Sequence, residues 1–294
     1  MQPKAPWLSS EAPRFEGQTA LVTGARGFIG RRLVQDLESR GCRVLADTGN
    51  LAGLAARIDR CDIVFHLAAA MKAEANGGEG ALFQANVDAA EEAARISSRT
   101  GARCIFASSS SVYGSGTKPL PSKESDPLLA DTVYGRSKKE SEKILAEAAA
   151  RDGFGVIALR VFNAYGPGQK REFLIPYLAE SLRRGERARV RRPQSVRDFV
   201  YVDDAVRAFI CAAAARLPGF HALNVGTGEG ISIRDAARLL AAQLKAKDLI
   251  DWEPEAPADY SVADPALIRA VLGWKAQIRL EEGLSRVAKA PDAS

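Results

Sequence analysis

Histidine is almost missing from this chain: His66 and His221 are the only two among 294 residues. A histidine-based nucleophile triad or a multi-histidine metal centre has nothing to build on, so acid/base chemistry must come from other side chains. Cysteine is sparse as well. Cys42, Cys61, Cys104 and Cys211 are widely spaced with no C-x-x-C pair, which speaks against a zinc site or a disulfide framework and fits a reducing, cytoplasmic setting. Long apolar runs are also lacking, and Met1 to Gln18 mixes prolines with charges. Residues 1–17 are therefore expected to form a surface arm, neither a signal peptide nor a membrane span. Basic residues crowd between Arg183 and Arg197, but no aromatic residue is interleaved to stack on bases, so nucleic acid is not the expected partner. A solvated face and a site for a small phosphorylated ligand both remain open for that stretch.

What is present is enough for a core. A hydrophobic content of 46% in a chain of this length supports one large domain, or one with a smaller annex. Apolar runs at Thr19-Ala-Leu-Val, Val44-Leu-Ala, Ile63-Val-Phe-His-Leu, Cys104-Ile-Phe-Ala and Val156-Ile-Ala-Leu-Arg-Val alternate with helical patterns at Arg31 to Arg40, Ala81 to Thr100 and Val133 to Arg151. Continuous apolar strands alternating with helices predict an α/β fold, a Rossmann-type doubly wound parallel sheet covered on both faces. After Gly166-Pro-Gly the pattern changes. It predicts a helix at Leu174 to Arg184, a basic strand near Ala188 to Arg192, Asp198-Phe-Val-Tyr-Val leading into a helix at Asp203, a last short strand at Leu223-Asn-Val-Gly, and a helix N-capped by Ser232. The expected organisation is a nucleotide-binding domain over 18–166, with 198–226 returning to it. A smaller C-terminal α/β substrate lobe would be built from 167–197 and 227–288, followed by a flexible tail over 289–294.

Three segments carry chemistry. The first is Thr23-Gly-Ala-Arg-Gly-Phe-Ile-Gly30, a glycine turn between a strand and a helix. That context turns backbone N–H groups and a helix N-terminus toward a pyrophosphate, making Gly24, Arg26, Gly27, Phe28, Ile29 and Gly30 candidate cofactor contacts. An acidic residue for the adenosine ribose is expected about 18 to 20 residues further on, and Asp47 falls near that place. The stretch from Asp47 to His66 is too short for a strand, a helix and another strand, so one strand is expected to be merged or missing. Arg26 can pair with a 2′-phosphate, which leaves NADP open beside NAD.

The second and third segments are the hydroxyl-rich strand end Ser108-Ser-Ser-Ser-Val-Tyr-Gly114 and Tyr134-Gly-Arg-Ser-Lys138. Residues four apart share a helix face, so Tyr134 and Lys138 project into one space. An ammonium beside a phenol favours the phenolate, and Tyr134 is expected to titrate below its reference value and to exchange a proton with an alcohol or ketone. Lys138 can also bond a nicotinamide ribose. One of the serine hydroxyls can donate to the substrate oxygen, although serine-rich strand ends also occur as plain caps.

With these motifs the chain resembles the extended short-chain dehydrogenase/reductases of the nucleotide-sugar epimerase/dehydratase group, over roughly Thr19 to Leu284. The resemblance extends to Asp62-Ile-Val-Phe-His-Leu-Ala-Ala69, Arg160-Val-Phe-Asn-Ala-Tyr-Gly-Pro167, Arg197-Asp-Phe-Val-Tyr-Val-Asp-Asp204 and Asn224-Val-Gly-Thr-Gly228. It implies Ser109 as the catalytic hydroxyl, Tyr134 as acid/base and Lys138 as its partner. It places Leu67, Ala68, Ala69 and Asn86 along the cofactor, and Ser110, Asn163 and Arg197 on a nucleotide-sugar. The family often carries an arginine where this chain has Ala256, three residues before Asp259, so Arg191 or Arg192 is expected to help hold the diphosphate.

By the same resemblance, 4,6-dehydratases carry an Asp-Glu pair where this chain has Ser110 and Ser111, which ranks elimination low. A sugar 4-epimerase is the leading expectation, a 4-ketoreductase using NAD(P)H the runner-up, and a non-catalytic nucleotide sensor a third. Family members are often dimers through the helix carrying Tyr134, and Ile144, Leu145 and Ala148 are expected to allow a homodimer here.

Overall fold

In the computed structural model, which describes residues 13–47, 49, 53–72, 77–116, 120–254 and 256–291, the apolar runs become parallel strands and the amphipathic segments between them become helices. The first half runs β1 (Thr19–Thr23), α1 (Phe28–Ser39), β2 (Arg43–Asp47), α2 (Leu54–Arg57), β3 (Ile63–His66), α3 (Glu79–Thr100), β4 (Arg103–Ser109), α4 (Val133–Asp152) and β5 (Val156–Val161). Next come β6 (Asn163–Tyr165), α5 (Leu174–Arg183), β7 (Ala188–Val190), β8 (Val196–Tyr201), α6 (Val202–Ala214) and β9 (Phe220–Val225). The chain finishes with β10 (Gly230–Ser232), α7 (Ile233–Gln243), β11 (Ile250–Trp252), β12 (Tyr260–Ser261), α8 (Ala266–Leu272) and α9 (Leu280–Lys289). Residues 1–12 of the expected arm and 292–294 of the expected tail lie outside the described residues.

Six strands form one parallel sheet in the order β2-β1-β3-β4-β5-β9. Every residue of β3 and β5 is buried, as strands covered by helices on both faces require. From β1 the chain steps out to β2 and returns on the other side as β3, so the strand order reverses between β1 and β3. Open α/β sheets bind ligands at the carboxyl ends of the strands on either side of such a reversal.

Local sequence explains the flanking helices. In α1, Leu33 and Leu37 share one buried face with Gly30, and the helix stops before Gly41, whose φ of 80° suits glycine. The start of α4 is capped by the Thr132 hydroxyl, which accepts from the Gly135 N–H at 3.0 Å. Gly153, at φ 79°, closes the same helix.

The crowding expected after Asp47 is resolved by omission. Among the described residues only the single-turn α2 lies between β2 and β3, and β2 is the edge of the sheet. A second difference concerns Leu223-Asn-Val. It belongs to β9, the opposite sheet edge, and is not the last strand, since β10, β11 and β12 follow. Strand β8 pairs with β6, β10 and β12 in a smaller sheet, and β7 pairs with β11. The basic strand expected near Ala188 is β7, whereas β6, β10, β11 and β12 escaped notice because two or three residues carry no readable period. Asp204, fully buried, ties the C-terminal segment down: its carboxylate accepts the N–H groups of Gln277 and Ile278, both at 2.9 Å. No helix among the described residues is long and apolar enough to cross a membrane.

Candidate functional site

The sheet reversal brings the glycine turn, Thr23, His66 and the serine run to one crevice. Gly24 sits at φ 70°, and a Cβ there would lie 2.7 Å from the Ala68 N. Gly30 is more constrained, since its Cβ would meet the Gly24 carbonyl at 2.2 Å. These glycines therefore let the turn press against Leu67-Ala68 and let α1 press against the turn. Gly27 stands at the N-cap of α1 with no side-chain cap, which leaves first-turn N–H groups of a positive helix end for an anion. Arg26 is exposed at the rim, Phe28 lies under the Arg32 guanidinium at 5.3 Å, and Ile29 packs on the core.

Asp47 ends β2 beside this turn, where its carbonyl accepts from Ala25 N at 3.4 Å. One of its carboxylate oxygens is buried with no hydrogen-bond partner. Such an oxygen suits a ribose hydroxyl and would repel a 2′-phosphate, so the residues present fit the adenosine half of NAD. Ala68 N donates to the Thr23 hydroxyl at 3.2 Å, and that hydroxyl also bonds His66 Nδ1 at 2.9 Å. Burial and the nearby Lys138 charge push His66 down to about 3, so the imidazole is neutral. Asn86 is buried, and its amide is taken up by the protein. It donates to Ala70 O at 3.0 Å and Ser137 Oγ at 2.9 Å and accepts from Ala70 N at 2.7 Å, which ties Ala70, the residue after Ala69, to α3 and α4.

Tyr134 occupies the first turn of α4, directly across from β4. Burial pushes its phenol up to about 12, and a hydrogen bond with Ser109 draws it the other way. The expected lowering by Lys138 is not found. The Lys138 ammonium lies 5.7 Å from the centre of the Tyr134 ring and 4.6 Å from that of Phe106, and it donates to the Ala107 carbonyl at 2.7 Å. It thus faces the ring, and Ser109 is what meets the phenol oxygen. Lys138 is itself 2% exposed, and burial brings it down to about 7 against the opposing pull of Glu142. Besides meeting Tyr134, the Ser109 hydroxyl caps the 3₁₀ turn Ser110–Tyr113 by accepting from Ser111 N at 3.1 Å.

Toward the smaller sheet, Ser110 meets Ser261 of β12 at 3.5 Å between hydroxyl oxygens, and Ser261 is the register partner of Arg197 on β8. Arg197 is bound by Asp259 at 2.8 Å. Asn163 donates to the Asp198 carbonyl at 3.1 Å, on the same small sheet. Arg191 is different: its side chain is 83% exposed, and its ionic partner is Glu253 at 3.5 Å. Among the described residues no hydrogen bond or ion pair joins it to the serines. Sequence reasoning passed over Glu142, although its place four residues after Lys138 was a readable signal.

The NAD dependent epimerase/dehydratase family model matches residues 20–226. The chain belongs to this family. A UDP-glucose 4-epimerase of Mycolicibacterium smegmatis is 30% identical, covering 92% of this chain and 97% of its own. A UDP-N-acetyl-alpha-D-glucosaminuronate decarboxylase of Bacillus cytotoxicus is also 30% identical, over 74% of this chain and 78% of its own. Among solved structures, MoeE5 in complex with UDP-glucose and NAD superposes with a TM-score of 0.82 at 30% identity, covering 92% of this chain and 97% of that one. The family is NAD-dependent. Its members carry out several reactions on one scaffold, so the family alone does not select the reaction.

The face expected to pair two copies is less apolar than anticipated. Leu145 and Ala148 of α4 are 0% and 3% exposed, turned toward the core, which leaves Ile144 outward. A groove of about 800 Å³ between α3 and α4 is lined by Ile144 with Glu91, Arg95, Glu147, Arg151 and Asp152.

Proposed function

We propose that this protein is an NAD-dependent 4-epimerase of a nucleoside diphosphate sugar. The observation that carries the reading is the Ser109 and Tyr134 hydroxyl pair above Lys138, flanked by Ser110 and Ser111. Hydroxyl groups at those two positions leave one proton exchanger for a single alcohol carbon. A carboxylate that could strip a neighbouring carbon is missing from them, and this argues against elimination.

NAD, when bound, would supply the hydride acceptor and donor for the sugar carbon. The Tyr134 phenol exchanges the proton of the C4 hydroxyl, and Ser109 donates to the same oxygen and holds it in line. Lys138 binds the nicotinamide ribose. Asp47 takes the adenosine ribose, and the open N–H groups of α1 take the pyrophosphate. Asn163 and Arg197 lie toward the sugar diphosphate, with Asp259 sharing the arginine. Solvent-exposed Arg191 has the weakest claim to that ligand.

A second reading, reduction of a 4-keto sugar by NAD(P)H, is favoured by a neutral phenol, which is the form that gives a proton to a ketone. The short connection after Asp47 also suits a cofactor that exchanges. Purified protein is denatured and its released nucleotide read by absorbance. NAD in near-equal amount supports the epimerase, whereas empty protein that oxidises NADPH with a 4-keto sugar overturns it. The full proposal includes a cytoplasmic homodimer through the α3 and α4 face, and light scattering of the purified chain tests that assembly.

A further inference from the structure

Beneath the serines lies a sealed polar cluster that the reaction above does not use. Glu142 follows Lys138 by one helical turn on α4, so both side chains leave the same side of the helix. Glu142 and Arg160 are each 4% exposed. Arg160 Nη2 donates to one carboxylate oxygen at 2.7 Å and Nε to the other at 3.0 Å, a two-pronged ion pair. The Ser108 hydroxyl donates to Glu142 at 2.5 Å, and Arg160 Nη1 reaches the Tyr113 phenol at 3.0 Å. Tyr113 in turn donates to Asn224 at 2.7 Å. Ser108 and Tyr113 flank the Ser109 to Ser111 segment on either side, so one ion pair holds that segment at both ends.

A buried ion pair is a poor device for stability alone, because desolvating two charges offsets much of their attraction. Its neighbour suggests what else it does. Around the Lys138 ammonium stand the Ala107 carbonyl and the Phe106 ring of β4, the neutral His66 of β3, and Tyr134 and Glu142 of α4 itself. Of these, Glu142 brings the negative charge, which adds to the Ala107 hydrogen bond in favouring the ammonium against burial. Arg160 stands behind it on β5.

We propose that Glu142 is a positioning residue of this site: through Ser108 and Arg160 it fixes where Ser109 stands, and from one helical turn away its charge sets the pH at which Lys138 loses its proton. The inference rests on the reading of Ser109 and Lys138 given above. Its test separates the two.

Lysine carrying ¹³C at Cε is incorporated, the Lys138 resonance is assigned by its loss in Lys138→Met, and its titration is followed in the native chain and in Glu142→Gln. Glutamine keeps an acceptor for Ser108 and removes the charge. The expected midpoint falls by about one pH unit, a tenfold loss of ammonium at a given pH. The high-pH limb of kcat should move with it, while KM for the nucleotide-sugar stays within about threefold. Glu142→Asp, which keeps the charge, should restore most of the midpoint. Since an unpaired Arg160 can unfold the chain, Glu142→Leu with Arg160→Met is measured alongside, a paired replacement that buried sites tolerate. It too should show the lowered midpoint.

An unmoved midpoint in either folded variant overturns the proposal. A moved midpoint with an unchanged rate profile overturns the positioning role. Failure of the site reading itself would instead show as full activity in Lys138→Met.

Discussion

At the β4 and α4 end of the crevice, Ser108, Glu142, Arg160, Tyr113 and Asn224 are joined in one buried network, whereas at the β2 end Asp47 keeps a buried carboxylate oxygen with no partner. The first end is complete within the protein. The second leaves an acceptor over, which the proposed reading gives to the adenosine ribose. A reactive centre gains from groups that are already oriented before substrate arrives, while a binding edge needs donors and acceptors left available. On the proposed reading, the difference assigns turnover to geometry at the serine end and the choice of dinucleotide to chemistry at the β2 end.

The sharpest way to break this comparison is Tyr134→Phe. It removes the proton exchanger and leaves the cofactor edge untouched, so kcat should fall about 10³-fold, inside the range for general acid–base groups. Conversion of the nucleotide-sugar is followed by chromatography and NAD affinity by fluorescence. If turnover survives at more than about a tenth of the native rate, the serine end is not the reactive centre and the binding-only reading gains.

Gly30→Ala probes the boundary between fold and site. The added Cβ would sit 2.2 Å from the Gly24 carbonyl and 3.0 Å from Ala25 Cα, both backbone, so nothing flexible can yield. We expect a loss of about 3 kcal/mol in urea unfolding, at the upper end of ordinary overpacking. Native-like stability would mean that the turn is looser than its contacts imply. Asp47→Ala should act on one end alone: NAD affinity falls about tenfold or more, the worth of a hydrogen bond to a charged group, with kcat at saturation unchanged. An NADP affinity that falls in parallel would contradict the role given to this carboxylate.

How much of this was readable in advance follows the same division. The glycine turn and the Tyr134 and Lys138 spacing stood out because each is a local pattern with a fixed period or a fixed strand-turn-helix setting. The edge position of β2 was half legible: the short distance from Asp47 to His66 showed that an element was missing, but not which one. Contacts between distant segments were illegible. Nothing local links Asp259 to Arg197, or Ser261 to Ser110, because the pairing of β12 with β8 spans residues far apart in the chain. The Tyr134 titration was misjudged for a related reason. Spacing placed Lys138 on the right face, but whether its ammonium meets the phenol oxygen or the ring depends on the Ala107 carbonyl, contributed by another strand.

The smallest effect is spread over pH and sharpens the comparison by titrating the reactive end alone. Burial brings Lys138 down to about 7 in the folded chain from an ordinary value of 10.5. Between those values the unfolded chain binds a proton that the folded one does not, so stability rises with pH across that window, by up to about 1.4 kcal/mol per pH unit. Above pH 10 the rise is opposed by Tyr134, whose pKa is raised from 10.0 to about 12, so that the folded chain keeps a proton the unfolded one loses. His66, lowered from 6.5 to about 3, makes stability rise with pH only below the Lys138 window. The thiols of Cys42, Cys61, Cys104 and Cys211, all raised from 9.0 by burial, oppose the rise as pH nears 9, so the interval from pH 7 to 8 is the one that belongs to Lys138. Urea midpoints should climb across it in the native chain and flatten in Lys138→Met. An equal slope in both proteins would mean that the ammonium is solvated, and the contrast between a sealed reactive end and an open binding end would fail at its central residue.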